Sequence, residues 1–85
     1  MMTCKVLASD RVVLDAEASS VTCRTPEGWL GILTGHAPAV FGLEDAPLRV
    51  STPEGQQRFR VQRGVVRVSR SGVLVLADWV EVDDA

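Results

Sequence analysis

Residues 58–77 read RFRVQRGVVRVSRSGVLVLA, and this stretch has the pattern of two β-strands joined by a tight turn. Its first part alternates polar and apolar side chains, so one face meets water and the other enters a core. Gly64 interrupts the alternation, and an isolated glycine between two strand-like runs predicts a bulge or a corner. Ser71-Gly72 predicts the hairpin turn. The nearly all-apolar run Val73 to Ala77 then predicts a strand between two layers.

The same short period extends to the N-terminal half of the chain. Strands are predicted over Thr3 to Ala8, Val12 to Ala16 and Ser20 to Thr25, with a turn at Ser9 to Arg11. The tetrapeptide Thr-Pro-Glu-Gly occurs at 25–28 and again at 52–55, and both copies predict tight turns. The pattern predicts an all-β fold, a two-sheet β-sandwich or flattened barrel of about ten short strands.

Length and charge restrict the function classes. The 85 residues fit one domain, 1–85. A net charge of −2 gives no positive field for phosphate backbones, which disfavours nucleic acid as a partner. No apolar run approaches the roughly 20 residues of a membrane-spanning helix, and the N-terminus lacks the layout of a signal peptide. We therefore expect a cytosolic protein.

The sequence offers no set of residues suited to catalysis or to metal binding. The two cysteines, Cys4 and Cys23, are too few for a disulfide framework and too far apart for a zinc knuckle. We expect both to be reduced and buried. His36, the single histidine, lacks a neighbouring nucleophile motif, so we expect its ring to bond nearby backbone in Gly35-His36-Ala37-Pro38. No catalytic residue, metal ligand or cofactor is predicted.

Two features leave alternatives open. Five of the nine cations lie within thirteen residues: Arg58, Arg60, Arg63, Arg67 and Arg70. They form either a docking face or a solvated strand face with cross-strand ion pairs. Trp29, directly after a predicted turn, either closes one end of the core or protrudes as an interface anchor.

Residues 27–38, EGWLGILTGHAP, carry a resemblance that covers nearly the whole chain. They resemble the Glu-Gly-x-x-Gly-Ile-x-Pro-Gly-His-Ala-Pro segment of the epsilon subunit of F-type ATP synthases, called delta in mitochondria. The opening VVLDA at 12–16 and the closing GVVRV at 64–68 and VLVLAD at 73–78 are similar to strands of the same family. The resemblance implies the family's N-terminal domain, a ten-stranded β-sandwich.

The resemblance also implies a function: a non-catalytic subunit of the central stalk, or rotor, that links the gamma subunit to the membrane c-ring. It implies a peripheral location on the cytoplasmic face of a bacterial membrane, with membrane contact only through the complex. The ring-facing residues it implies are Glu27, Gly28, Trp29, Leu30 and Gly31. The gamma-facing residues it implies are Ser9, His36, Val40 and Phe41. When gamma and the ring are missing, exposed groups such as Trp29 and Trp79 are expected to allow self-association.

The chain departs from the family at several points. Thr34 replaces a common proline, Trp29 stands where polar or acidic residues are common, and Gln62-Arg63-Gly64 replaces a common Ser-Gly-Gly. The sequence stops at Ala85, where most members continue into a C-terminal helical hairpin. If the chain is complete, the brake on ATP hydrolysis and the ATP site that this hairpin carries cannot operate by the usual route.

Two further hypotheses belong to other classes. The first is a stand-alone β-sandwich interaction module, with Trp29 and the arginine face contacting an acidic partner. The second is a small enzyme centred on His36. A truncated fragment of a full-length regulatory epsilon subunit would have the same sequence as a naturally short subunit.

Overall fold

A computed structural model describes residues 1–83, which form seven β-strands. The strands are β1 (Met2–Ala8), β2 (Arg11–Ala18), β3 (Ser20–Thr25), β4 (Gly28–Leu33), β5 (Ala39–Thr52), β6 (Gly55–Val68) and β7 (Gly72–Val82). The all-β prediction is confirmed. No helix in the described range is long and apolar enough to cross a membrane.

All seven strands are hydrogen-bonded into one mixed sheet, in the order β2-β1-β7-β6-β5-β3-β4. The pairing of β1 with β7 is parallel, and the other pairings are antiparallel. The strands β5 and β6 each run for 14 residues and β7 for 11, twice the length of a common strand. Strands of this length fit within one small domain only if they bend.

The bend is visible in the burial pattern of the three long strands. In β6 the buried side switches from odd to even positions, from Phe59 and Val61 to Gly64, Val66 and Val68. The same switch occurs at matching positions in β5 and β7, although the pairing between the strands does not slip. The three strands therefore turn together along one line, which we name the bend line. It passes through Glu44 and Asp45 in β5, Gln62 and Arg63 in β6, and Asp78 and Trp79 in β7.

The bend folds the sheet into two layers. The first layer contains β1, β2 and the halves of the long strands that lie next to them; the second contains β3, β4 and the remaining halves. The sequence predicts about ten short strands, whereas the structure has seven, because β5, β6 and β7 each continue through the bend line. The predicted count is higher because each switch of burial phase along a long strand resembles a strand end in the sequence.

The core lies between the two layers and is built mainly from valine. Branched side chains pack well on a pleated surface, which explains why valine dominates the inward positions. Cys4 in the first layer and Cys23 in the second are both free and buried, as predicted. Burial raises the pKa of the Cys4 thiol to about 11 and raises the pKa of Cys23 in the same direction.

Gly64 forms the corner that the sequence predicts. A Cβ at this position would lie 2.9 Å from Cγ1 of Val61 and 3.0 Å from the carbonyl oxygen of Leu76. Only glycine therefore lets β6 and β7 approach closely at the bend line.

Candidate interaction surfaces

The β3–β4 turn holds the first of the ring-facing residues that the resemblance implies. The hydroxyl of Thr25 donates to the carbonyl oxygen of Gly28 at 3.0 Å and accepts from the backbone N–H of Glu27 at 3.2 Å. The second Thr-Pro-Glu-Gly copy makes the same two bonds: the hydroxyl of Thr52 donates to the carbonyl oxygen of Gly55 at 2.9 Å and accepts from the backbone N–H of Glu54 at 3.2 Å. Both copies are tight turns, as predicted. The turn holds Glu27 and Gly28 in an exposed, well-defined position.

Trp29 protrudes from the molecule and does not close one end of the core, whereas its role as an interface anchor stays a prediction. Its side chain is 53% exposed, and the guanidinium carbon of Arg49 lies 5.1 Å from the centroid of its ring system. This distance is within the range of a cation–π contact. The next residue, Leu30, packs against the core, whereas Gly31 is exposed.

A groove brings residues of the two implied contact sets together. It has a volume of about 410 Å³ and runs between the β3–β4 turn and the first half of β5. Glu27 lines it on one side, and Val40 and Phe41 line it on the other. Val40 is exposed, but Phe41 is half-buried against the core. The implied ring contact and gamma contact therefore adjoin each other on this side of the sandwich.

Ser9 lies apart from this groove. It occupies the β1–β2 turn, where its hydroxyl donates to the carbonyl oxygen of Asp78 at 3.5 Å. Together with Arg63 and Leu76 it lines a second, smaller groove of about 230 Å³. The structure thus places Ser9 at the bend line, next to β7.

His36 belongs to the loop between β4 and β5, and its hydrogen bonds lie within that loop. Its backbone N–H donates to the carbonyl oxygen of Leu33 at 3.0 Å, and its Nδ1 lies 2.7 Å from the carbonyl oxygen of Ala37. The ring bonds neighbouring backbone, as the sequence predicts. His36 lies just before the start of β5 at Ala39, at the end of β5 away from the bend line, whereas Ser9 bonds Asp78 on the bend line.

The arginine-rich stretch divides into different environments. Arg60 Nε lies 2.8 Å from Oδ1 of Asp45, and Arg63 Nε lies 3.0 Å from Oδ2 of Asp78. These are cross-strand ion pairs of the kind expected for a solvated face. Arg58 Nε donates to Oε1 of Gln56 at 3.0 Å. Arg67 instead lies on the outer face of the first layer, so the five arginines do not form one face.

One surface was not identified from the sequence. On the outer face of the first layer, four neighbouring strands each contribute one apolar residue, and each of these residues is the Cα partner of the next. We name these four residues the outer row: Val12, Leu7, Leu76 and Val65. Val12 is 63% exposed, Leu76 46% and Val65 42%. The expectation that Val73 to Ala77 lies between two layers is therefore met on one face only. The apolar run Val73 to Ala77 within β7 is the sequence signal for this second, uncovered face.

Metal binding has no candidate in this part of the molecule. Within residues 1–83, no group of three or more His, Cys, Asp or Glu side chains could hold a metal ion.

Comparison with known proteins gives matches over nearly the full chain. The family model described as ATP synthase, Delta/Epsilon chain, beta-sandwich domain matches residues 1–83. The ATP synthase epsilon chain of Nostoc sp. (strain PCC 7120) is 36% identical over 98% of this chain and 62% of that protein. That of Corynebacterium aurimucosum is 36% identical over 99% of this chain and 74% of that protein. The chain thus spans about 62% of the length of the Nostoc relative.

Two solved structures share the fold. A chain from the cryo-EM structure of Euglena gracilis mitochondrial ATP synthase, OSCP/F1/c-ring, superposes with a TM-score of 0.87 at 24% identity, covering 95% of this chain and 52% of that one. A chain from the central stalk/c-ring structure of Tetrahymena thermophila mitochondrial ATP synthase gives 0.80 at 17% identity, covering 94% and 65%. The bent two-layer sheet and the match over residues 1–83 together lead to one assignment: this chain belongs to the ATP synthase delta/epsilon chain family and forms its β-sandwich domain.

Proposed function

We propose that this protein is a non-catalytic central-stalk subunit of an F-type ATP synthase, which links the gamma subunit to the c-ring and couples ion flow to ATP synthesis. The ion is a proton or sodium. The protein then lies on the cytoplasmic face of the cell membrane as a peripheral part of the complex, and it contacts the membrane only through its partners. Family membership supports this proposal, as do the relatives named ATP synthase epsilon chain.

The observation that carries the proposal is the outer row. Contiguous exposed apolar side chains on a small soluble domain are typical of protein–protein contacts. Ser9 lines the same groove as Leu7 and Leu76, the two middle residues of the row. Val40 lies two residues from Gly42, which is the Cα partner of Val65 at one end of the row. We therefore assign the outer row, together with the neighbouring Ser9 and Val40, to gamma.

The remaining proposed gamma residues, His36 and Phe41, have a supporting role. His36 bonds its own loop and Phe41 packs against the core, so both hold the backbone next to Val40 in place. The proposed ring contact is the exposed turn and strand start at Glu27, Gly28, Trp29 and Gly31, with Leu30 anchoring it to the core. A rigid sandwich with contacts on two sides is suited to transmitting torque, and it requires no catalytic residue and no cofactor.

The test is reconstitution of an F-type ATP synthase that lacks its own epsilon subunit. Adding the wild-type chain is expected to restore ATP-driven ion pumping in vesicles. The Leu76→Asp variant is expected not to restore it, because a carboxylate in the outer row would be desolvated at the gamma contact. Val82→Asp is the matched control, since Val82 is also exposed but lies on β7 in the second layer. Equal pumping with and without the wild-type chain would rule the proposal out.

A second candidate function is a stand-alone interaction module, and the protruding Trp29 stacked by Arg49 favours it. Affinity purification from native extract separates the two. Recovery of synthase subunits supports the first function, and recovery of unrelated proteins without them supports the second.

A further inference from the structure

The outer face of the second layer gathers positive charge on three neighbouring strands. Arg49 on β5 and Arg58 on β6 are direct Cα partners, and both are exposed. Like charges directly opposite each other destabilise a sheet. Arg24 on β3 lies two positions beyond Thr22, which is the Cα partner of Arg49. The fold therefore places three arginines on the same face of three neighbouring strands.

Carboxylates are distributed unevenly around these arginines: Asp83 lies beside Arg58, where its backbone N–H donates to the carbonyl oxygen of Arg58 at 2.9 Å. Neither β3 nor β4 contains an acidic residue. Asp45, in the adjoining half of β5, accepts from Arg60 at 2.8 Å. Arg24 donates from Nη2 to the backbone oxygen of Asp45 at 3.4 Å. The guanidinium group of Arg49 lies over the ring of Trp29.

Apolar surface borders these charges along β4. Trp29 and Leu33 are both exposed on the outer face, and Gly31 lies between them. A Cβ built on Gly31 would meet no atom within 4 Å, so the face has an open notch there. This open space lies between the apolar side chains of Trp29 and Leu33. Trp29 is in register with Arg24, so the notch and the guanidinium groups form one continuous surface.

We propose that this surface, the Trp29 face, binds an extended acidic segment of a partner protein. We define the Trp29 face as Arg24, Trp29, Gly31, Leu33 and Arg49. Carboxylates of the segment bond the guanidinium groups of Arg24 and Arg49 in the bidentate geometry that arginine favours. An apolar side chain of the segment occupies the Gly31 notch. This goes beyond the proposed function, because it specifies the chemistry of the segment whichever protein carries it.

Charge complementarity favours an acidic protein segment over nucleic acid. The chain as a whole has a net charge of −2, so it gives no long-range attraction to a polyanion, and Arg24 and Arg49 attract negative charge only locally. A short segment that matches the face locally avoids the repulsion that a long nucleic acid would meet beyond it.

The experiment measures binding of a fluorescein-labelled synthetic peptide, a leucine with two glutamates on each side, by fluorescence polarisation with the full chain. A peptide with lysine in place of each glutamate is the probe control. Arg49→Gln is expected to weaken binding by about tenfold, because it removes a charge-assisted contact. Gly31→Val is expected to weaken it by about fivefold by filling the notch. Arg67→Gln, an exposed strand arginine on the other layer, is the matched control and is expected to change affinity by less than about twofold.

Three results would overturn the proposal. The first is equal binding of the glutamate and lysine peptides, or no binding of either. The second is an affinity that Arg49→Gln and Gly31→Val leave unchanged while circular dichroism shows both variants folded. The third is a preferred alternative occupant: either a single-stranded oligonucleotide that binds more tightly than the peptide, or a dimer in sedimentation that Arg49→Gln dissociates. Because the peptide assay uses the isolated chain and the pumping assay uses Leu76 in the other layer, the two proposals fail independently.

Discussion

Arg63 and Asp78 face each other across β6 and β7 on the bend line, with Nε of Arg63 3.0 Å from Oδ2 of Asp78. Arg63 has a φ of +50° and is the one non-glycine residue with positive φ within residues 1–83. A side chain in this backbone region costs roughly 1 kcal/mol. The sheet therefore bends at a strained residue whose side chain is bonded across the bend.

The first prediction concerns this strain. Arg63→Gly is expected to keep the free energy of unfolding within about 1 kcal/mol of the wild type, because relief of strain offsets the loss of an exposed ion pair. Arg63→Val is expected to lose about 2 kcal/mol, since a β-branched side chain fits this backbone region poorly. Urea denaturation measures both.

Gln62→Val is the matched control for this pair, because Gln62 is exposed in the same strand without a positive φ. It is expected to be close to neutral. If Arg63→Val is as stable as Gln62→Val, the bend does not store strain at Arg63.

A second prediction concerns Gly72, where the β6–β7 hairpin meets β1. A Cβ at Gly72 would collide with the backbone carbonyl oxygen of Thr3, which cannot move without disturbing the parallel β1–β7 pairing. Gly72→Ala is expected to lower the free energy of unfolding by about 3 kcal/mol. Gly42→Ala, where a Cβ would meet nothing within 4 Å, is expected to change it by less than about 0.5 kcal/mol. Thermal melts that give similar losses for the two variants would contradict this account of the pairing.

A third prediction concerns pH. The Cys4 thiol is neutral when protonated, and burial raises its pKa from an ordinary 9.0 to about 11 in the folded state. The folded chain therefore binds this proton more tightly than the unfolded chain. Stability from this group is full below pH 9 and is lost as the pH rises through 11, by about 2 kcal/mol.

The measurement is the free energy of unfolding between pH 8 and 11 for the wild type and for Cys4→Ala. The variant is expected to be less stable at pH 8, because it leaves a cavity, but to lose less stability as the pH rises. The chain contains no tyrosine and a single lysine, so few other groups titrate in this interval. Parallel curves for the two proteins would show that the Cys4 thiol does not contribute.

Local features of the fold were predictable from the sequence because short-range chemistry determines them. The two Thr-Pro-Glu-Gly turns form through bonds within four residues, from Thr25 and from Thr52. His36 likewise bonds its neighbour Ala37. Gly64 signals the corner because no other residue fits there.

Features that depend on long-range pairing could not be predicted in this way. The register that brings Arg49 over Trp29 joins residues twenty positions apart through β3, and no local pattern encodes it. The outer row is assembled from four strands, although only β7 carries a visible apolar run. The continuity of β5, β6 and β7 through the bend line was hidden because each switch of burial phase resembles a strand end.

The most direct test of the central claim is co-purification of the tagged full chain with the gamma subunit and the c-ring from membranes. The account predicts that the wild-type chain retains both, that Leu76→Asp loses gamma, and that Trp29→Ala weakens retention of the ring. Val82→Asp should behave as the wild type. Failure of the folded wild-type chain to retain either gamma or the ring would contradict the proposed place of this sandwich in the rotor.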